Sequence, residues 1–493
     1  MRVFNVNKGI GYASSGVEYA QKYRKELFEA GPVDDYYIFL NYISTNVSIY
    51  TDLMNFERKQ VLWIYNVLSG RPAQDSDYPI EKFLNALAAP YKVTFEDDKR
   101  LTVQLEHEDV RYELTKINTD KLNIVRQFEK NKLVQILHFD HSLNNFEEYQ
   151  AGKLARRVFF KLNGEKAFEQ FYENGEITVT LIDNQILYGL TGFFTYFMQK
   201  LGLKADDAVI IDRSLDAAEI LLPDLVGKVR LFSVVHAEHY NENLSTGTHI
   251  LWNNNYEYVF DNANYFEAII VSTERQKEVL KAQLAKPTKI VVIPVGYIEK
   301  IVESTNYQPF SLITASRLAS EKHIDIIIKA VVAAKSKIPE LKLDIYGEGG
   351  ERGKLEQLIN ELKATDYIKL KGHHKLTSVY KQYGAYVSAS TSEGFGLSLL
   401  EATAESLPII GADVDYGNRE FIVDGKSGLL YPRGDFSQMV NSLEQALLTF
   451  YATNMVETAR PIVRRQARKY LKENVAKVWE ELMLGKGVAT DEG

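Results

Sequence analysis

No cysteine occurs among the 493 residues, which excludes disulfides, thiolate nucleophiles and cysteine-ligated zinc or iron–sulfur centres. Glycine and proline are sparse, 30 and 12 residues, and neither gathers into a low-complexity tract. No run approaches the ~20 consecutive apolar residues that span a bilayer. The opening MRVFNVNKGIGYASSG lacks the continuous apolar core of a signal peptide, so the chain is expected to be soluble and not exported. An excess of positive charge is also missing. Lys and Arg total 58 against 66 Asp and Glu, a net charge of -8, so no global basic field draws nucleic acid. A neutral or basic cleft inside an acidic protein stays compatible with that balance.

What is present is ordinary for a folded protein: 45% hydrophobic and 25% charged residues rule out a disordered or collagen-like chain. At roughly 150 residues per domain the length predicts about three domains or lobes. Thirty tyrosines and 24 phenylalanines are explained by a large core, with a saccharide- or peptide-binding surface as the alternative. Near the start, VFNV precedes Gly9, Gly11 and the helical spacing of SSGVEYAQKYRKELFEAG, the strand, glycine loop and helix that open a doubly wound domain. YYIFL and VLWIY read as further strands. From about Tyr91 to Asp183 the pattern changes to YKVTFE, LTVQLE, VRYELT, LVQILHF, RVFFKL, FEQFYE and ITVTLI, separated by turn signals such as DDKR and Asn174-Gly175. Short runs of this kind predict an antiparallel sheet, here inserted into the first lobe. Strands then resume with AVIID, LFSVVH and AIIVST, and KIVVIPVG reads as the interlobe connection. A second βα series follows from Phe310 through SLITAS, LDIYG, IKLKG, YVSAS and PIIGAD to a helical tail. The expected fold is α/β, two doubly wound Rossmann-like lobes facing a cleft. The first lobe takes residues 1–68 and 185–298, the insertion 69–184, the second lobe 299–470 and the tail 471–493.

Strand ends of parallel sheets face ligand clefts, and the polar residues there form the candidate site. TSEGFGLSLLEAT places Glu393 in the loop before a helix that starts near Phe395, and Glu401 about two turns into it, around Gly394 and Gly396. Exposed amides at a helix start suit negative charge or sugar hydroxyls; a helical glutamate can accept two ribose hydroxyls, and a loop glutamate those of a second ring. A local cap or salt bridge on a plain βα turn accounts for the same residues. In SRLASEKHID, Arg317 and Lys322 flank the entry to a helix, where two fixed cations can neutralise a diphosphate and stabilise it as a leaving group. A solvated basic pair is the alternative. Gly9, Gly11 and Gly16 lead into Val17, Glu18 and Tyr19, where backbone amides can approach the same phosphates; the spacing is not G-x-G-x-x-G, and a generic tight turn fits equally. His236 follows a strand in VVHAEHY and reads as a hydrogen-bonding group at the cleft or a satisfied structural histidine. With His239 it makes an H-x-x-H that lacks a third ligand, so no metal is expected. His373 and His374 follow Gly372 at another strand end, where backbone groups can read a nucleobase edge. YGEGGERGKL reads as a strand-to-helix turn and Asp413 to Asp415 as an ordinary loop.

The order of these segments resembles the large retaining GT-B glycosyltransferase family that uses nucleotide sugars, glycosyltransferase family four, over nearly the whole chain except the insertion. The resemblance implies that Arg317 and Lys322 bind the diphosphate, Glu401 the ribose, and Glu393, Gly394, Phe395 and Gly396 the donor sugar, with His236 contacting the transferred sugar. His236, Arg317, Lys322 and Glu393 are then the expected catalytic residues, and Gly16, Val17, Glu18, Tyr19, His373, His374 and Glu401 further donor or nucleotide contacts. One departure is Pro294-Val295-Gly296, where the family carries asparagine between proline and glycine, so one interlobe contact is unaccounted for. GIGYASSGVEYAQ, VVHAEHY, ILWNNNYEYVF and SLITASRLA look like the accessory-secretion glycosyltransferase catalytic subunits of Gram-positive bacteria, inserted sheet included. That resemblance implies a cytoplasmic enzyme with at most peripheral membrane contact, which starts O-glycosylation of serine-rich repeat adhesins. It would move N-acetylglucosamine from its UDP sugar to Ser or Thr, with UDP-glucose as the alternative donor. A non-catalytic paralogous subunit or self-association is the expected assembly. Two readings compete: a non-catalytic acceptor-binding paralogue, against which the joint presence of Glu393, Glu401, Arg317 and Lys322 argues, and an enzyme acting on a lipid or small saccharide. No cofactor is expected, because the cationic work falls to Arg317, Lys322 and helix amides. Hydrolysis of UDP-N-acetylglucosamine by desalted protein is therefore expected to be unchanged by saturating EDTA. A strict requirement for magnesium or manganese in that assay contradicts the assignment.

Overall fold

The computed structural model describes residues 1–11, 16–29, 31–44, 46–87, 89–246, 249–303 and 306–485. Within the glycine loop, Tyr12 to Ser15 lie outside the described residues. Contacts divide the chain into two compact units, one of Met1–Lys25 and Pro32–Phe232, the other of Glu26–Gly31 and the chain from Ser233 onward.

In the first unit Arg2–Asn7 is buried along almost its whole length. It pairs in parallel with Ala208–Ile211 on one side and Asp34–Phe39 on the other, and the last of these pairs with Val61–Trp63. Parallel strands covered on both faces read as continuous apolar runs, which is why VFNV, YYIFL and AVIID are legible. VLWIY is strand only as far as Trp63; Ile64–Ser69 is helical and ends at Gly70, whose φ is 68°. Only glycine takes that left-handed turn without a Cβ penalty.

Ten antiparallel strands then follow, from Tyr91–Glu96 to Gln185–Tyr188, each paired with its neighbour in sequence. The two-residue turns Lys130-Asn131, Ala151-Gly152, Asn174-Gly175 and Asp183-Asn184 have both residues at positive φ, the geometry that matches the twist of a tight hairpin. Three of the ten, Leu122–Glu129, Leu143–Gln150 and Gln185–Tyr188, are absent from the sequence-based expectation. The middle one buries polar residues. Its Asn145 and Glu147 each lie 3.0 Å from the Tyr42 hydroxyl, His138 Nε2 lies 3.2 Å from the same hydroxyl, and the Arg157 guanidinium stands 3.6 Å over the Tyr42 ring. Burial pushes the Glu147 carboxyl up, but hydrogen bonding from His138 and the charge of Arg157 outweigh it and hold the group at about 2. Beside this hub Phe159 stacks on Phe168 at 4.4 Å, and Tyr65 and Phe193 complete an aromatic core, which accounts for part of the tyrosine and phenylalanine content.

The insertion is pinned at its entry. Arg71, next to Gly70, spends its guanidinium on Asp140 at 3.0 Å and on the carbonyls of Phe160 and Leu143 at 3.0 and 3.1 Å. Both members of the ion pair are buried. Arg71→Ala is expected to lower stability by about 3 kcal/mol, because it leaves Asp140 buried without a counter-charge. The denaturation midpoint in urea measures this, and an unchanged midpoint contradicts it.

In the second unit Ala268–Val271 pairs in parallel with Ile290–Val292. A six-stranded parallel sheet follows, in the spatial order Ile368–Gly372, Lys342–Tyr346, Gln308–Ala315, Tyr383–Ser388, Ile409–Ala412, Gly428–Tyr431. Numbered along the chain this is 3-2-1-4-5-6, the doubly wound order whose direction reverses between the first and fourth strands. Helix Ile324–Ala334 buries Ile326, Ile327, Ile328 and Val331 beneath it. In the tail, Trp479 of helix Lys472–Met483 meets Phe28 edge-on at 5.7 Å. Among the described residues no helix is long and apolar enough to cross a membrane.

Candidate functional site

In an open α/β sheet the carboxyl ends of the strands on either side of the reversal leave a crevice. In the second unit those ends lead into Ser316–Lys322 and Ala389–Gly396. Tyr386 sews the two strands together: its buried hydroxyl donates to the Ala315 carbonyl at 2.9 Å and pairs with Ser398 Oγ, also at 2.9 Å. Burial pushes this phenol up to about 12, so it stays a neutral donor.

The first loop is held by an unusually close neighbour. A Cβ on Gly347 would meet the Ser316 carbonyl at 1.8 Å, and one on Gly349 the Leu318 carbonyl at 2.3 Å. Gly347 also has φ of 127°. YGEGG is therefore a strand-to-helix turn whose glycines let the Arg317 loop lie flat upon it. Arg317 itself is 73% exposed and pairs with Glu321 at 2.9 Å. A surface pair of that kind contributes about 0–1 kcal/mol, so the guanidinium can be re-aimed at an anion at small cost. Lys322, on the short helix Ser320–Lys322, reaches across to Glu393 at 2.6 Å, with both side chains mostly covered.

The second loop threads Glu393 between two glycines. A Cβ on Gly417 would meet Glu393 Cγ at 2.5 Å, and the Gly417 amide donates to the Glu393 carbonyl at 3.0 Å. Gly396, at φ of 91°, stands directly before helix Leu397–Ala404. Phe395 is buried between Phe421 and Tyr470. Gly394 makes the closest approach: a Cβ there would stand 2.6 Å from the His236 carbonyl oxygen and 3.0 Å from Ala237 Cα. The loop that carries His236 thus lies against the loop that carries Glu393.

Glu401, on the solvent-accessible side of helix Leu397–Ala404, accepts a hydrogen bond from Tyr380 at 2.8 Å. Desolvation of the carboxyl by the surrounding protein raises it above the ordinary glutamate range, the Tyr380 hydroxyl pulls it partly back, and the charge of Glu405 pushes it up again. His373 and His374 are exposed after Gly372, whose φ is 77°; His374 Nε2 bonds the Lys371 carbonyl at 2.8 Å and its ring meets Tyr346 edge-on. Gly16, Val17, Glu18 and Tyr19 belong to the first unit. There Gly16 opens helix Gly16–Phe28, Tyr19 is exposed, and buried Glu18 accepts from Asn7 at 3.1 Å.

Several residues that shape this site carry no motif of their own. Tyr380 is a single tyrosine before a strand, and Tyr416-Gly417 directly follows the Asp413 to Asp415 loop, so only their partners reveal them. The two aspartates are taken up by arginines, Asp413 by Arg419 at 2.7 Å and Asp415 by Arg275 at 3.5 Å. The nitrogens of His239 are likewise occupied, by Gln283 and Tyr416. Among the described residues no three His, Asp or Glu gather as a metal would require. Gly394→Ala is expected to cost about 2 kcal/mol, since its Cβ forces the His236 backbone away or strains the turn. A thermal midpoint equal to that of the wild type contradicts the close approach.

Residues 298–460 match the family described as glycosyl transferases group 1. Over 498 residues the chain is 38% identical to the "UDP-N-acetylglucosamine--peptide N-acetylglucosaminyltransferase GtfA subunit" of Streptococcus pneumoniae serotype 4, covering 98% of each chain. Among solved structures it is similar to the pneumococcal O-GlcNAc transferase GtfA in complex with UDP and GlcNAc, with a TM-score of 0.90, 36% identity and 99% of each chain covered. It is also similar to a chain of the GtfA/B complex, with a TM-score of 0.92, 34% identity and 99% of each chain covered. The fold class is accordingly GT-B with an inserted antiparallel sheet, as the sequence leads one to expect.

Proposed function

The chain belongs to the GtfA-subunit family of UDP-N-acetylglucosamine–peptide N-acetylglucosaminyltransferases, and we propose from that premise that it transfers N-acetylglucosamine, with retention, from UDP-N-acetylglucosamine to Ser or Thr hydroxyls of a serine-rich repeat adhesin. The observation that carries this reading is the convergence of Arg317, Lys322, Glu393 and the His236 loop on the reversal point of one parallel sheet.

The donor diphosphate lies against Arg317 and Lys322, which neutralise charge as the bond from the anomeric carbon to the phosphate oxygen breaks. Glu393 and the amides of Gly394 to Gly396 hold the sugar hydroxyls, His236 contacts the transferred sugar, and Glu401 accepts the ribose hydroxyls. His373 and His374 border the base. The acceptor oxygen attacks from the face that UDP leaves, and its proton passes to the departing phosphate. No protein nucleophile is needed; rate comes from positioning and leaving-group stabilisation. No metal or cofactor takes part.

Residues 69–184 are assigned to acceptor or subunit recognition, since an antiparallel sheet leaves a face and edges for an extended peptide or a partner sheet. Residues 299–470 form the donor lobe. A relative solved as a GtfA/B complex supports assembly with a paralogous, non-catalytic subunit. The work is assigned to the cytoplasm, within an accessory secretion route, with at most peripheral membrane contact.

Purified protein offered UDP-N-acetylglucosamine and UDP-glucose separately tests the reading. Hydrolysis of the first, and transfer to a serine-rich peptide, are expected; preference for UDP-glucose changes the donor, and no turnover of either leaves only a binding paralogue. Arg317→Ala and Glu401→Gln are expected to keep the fold and cut transfer about 100-fold, or ~2.7 kcal/mol; near wild-type turnover in either removes the assignment. Because the Glu401 carboxyl is raised, its ionised form is lost at a higher pH than for an exposed glutamate as the solution is acidified. The acid limb of kcat/KM is therefore expected above the ordinary glutamate range, and Tyr380→Phe, which deletes the bond that lowers it, is expected to move that limb higher still. An unmoved limb contradicts the contact.

A further inference from the structure

We infer that His239 and Tyr416 are positioning residues for transfer, a brace that holds the His236 loop and the Glu393 loop against one another; the inference rests on the function proposed above. The His236 loop has no regular secondary structure to fix it. Its backbone is instead held by side chains. The Tyr256 hydroxyl accepts from the amides of His236 and Ala237 at 3.0 and 3.2 Å, Gln276 donates to the Ala237 carbonyl at 2.9 Å, and Asn253 donates to the Glu238 carbonyl at 3.1 Å. Tyr256 and Asn253 come from ILWNNNYEYVF, which gives that segment a physical task.

The loop ends at His239, which is completely buried among Tyr240, Trp252, Phe260 and Tyr416. Gln283 Oε1 lies 2.9 Å from Nε2 and the Tyr416 hydroxyl 3.3 Å from Nδ1. An amide oxygen only accepts, so Nε2 carries the proton and Nδ1 accepts from the phenol. Burial lowers the imidazole to about 4, which keeps it neutral and this arrangement fixed. Gln276 and Gln283 are seven apart on one helix, Glu274–Gln283, and so share a face: one helix side holds both the middle and the end of the loop.

Tyr416 makes the link to the other loop. Its backbone adopts φ 74°, ψ −98°, sparsely populated for any residue with a Cβ and tolerated where the surroundings impose it. Directly after it, Gly417 donates to the Glu393 carbonyl and lies against Glu393 Cγ so closely that a Cβ would not fit. The Tyr416 side chain thus ends on the His236 loop while its backbone leads into the support of Glu393. Gly394 against the His236 carbonyl is a second point of contact, and a hydrogen bond from Ser392 to Glu238 a third. Those two hold the middle of the His236 loop; the Tyr416 bond holds its end, and without it His239 loses its tie to the support of Glu393.

The test compares wild type, Tyr416→Phe, His239→Asn and His239→Ala for UDP-N-acetylglucosamine hydrolysis and peptide transfer, with UDP affinity by calorimetry and the thermal midpoint of each. Tyr416→Phe removes one oxygen and keeps the ring; it is expected to lower kcat about 10-fold, as displacement of reacting groups by a fraction of an ångström does, with donor KM and UDP affinity within about twofold. His239→Asn puts an amide oxygen near the place of Nδ1 and is expected to recover most of the kcat that His239→Ala loses. Turnover of Tyr416→Phe within twofold of wild type overturns the brace, as does a fall in kcat matched by an equal loss of UDP affinity. Should neither His239 variant fold, Tyr416→Phe decides alone. Wild-type protein that turns over no UDP sugar overturns the proposed function and the brace with it, whereas an active wild type with an unaffected Tyr416→Phe overturns the brace only.

Discussion

Lys322 and Glu393 meet at 2.6 Å although 71 residues separate them, and the second unit is arranged around that meeting. It exists because the strand order 3-2-1-4-5-6 puts Gln308–Ala315 beside Tyr383–Ser388, so the loops that follow them emerge side by side. A reversal anywhere else in the order would part them. Each charge is mostly covered, and a covered charge without its partner costs several kcal/mol, so the pair keeps both loops folded when no ligand is bound. The pair sets a cation and a carboxylate side by side, the groups that the function proposed above assigns to a phosphate and to sugar hydroxyls.

Glycine makes that convergence sterically possible, and for three different reasons. At Gly394 the constraint is another backbone, the His236 carbonyl. For Gly396 it is the left-handed φ before the helix. Gly417 must leave room for a side chain, that of Glu393 itself. The first two stand in EGFG, beside the glutamate, and advertise a special loop. Gly417 lies just beyond the Asp413 to Asp415 loop, in a segment given no reading from the sequence, and its task is visible only in three dimensions, since nothing local marks which side chain it must admit.

That division describes how far the sequence carries. Continuous apolar runs announced the parallel strands, and Asn174-Gly175 announced a hairpin, because burial on both faces and positive φ each have a compositional signature. The positions of Arg317, Lys322 and Glu393 at strand and helix ends, and of Glu401 within the helix that follows, came from spacing alone. Tyr380 on Glu401, Tyr416 on His239 and Gln276 on Ala237 did not, because each is a tertiary hydrogen bond between segments distant in sequence.

The strand Leu143–Gln150 in the first unit was missed for the same physical reason as the Tyr416 contact in the second. In the strand, Asn145 and Glu147 turn inward to Tyr42, His138 and Arg157; in the second unit, His239 turns inward to Gln283 and Tyr416. Hydrophobic patterning treats an inward polar residue as an error, yet a buried polar group is tolerable only when its partners stand in the right directions. Apolar side chains can slide past one another at little cost, whereas Tyr42 or His239 has partners in only one arrangement. The polar networks that are hardest to see in the sequence are therefore the contacts that fix orientation most tightly, at the seat of the inserted sheet in one unit and at the paired loops in the other.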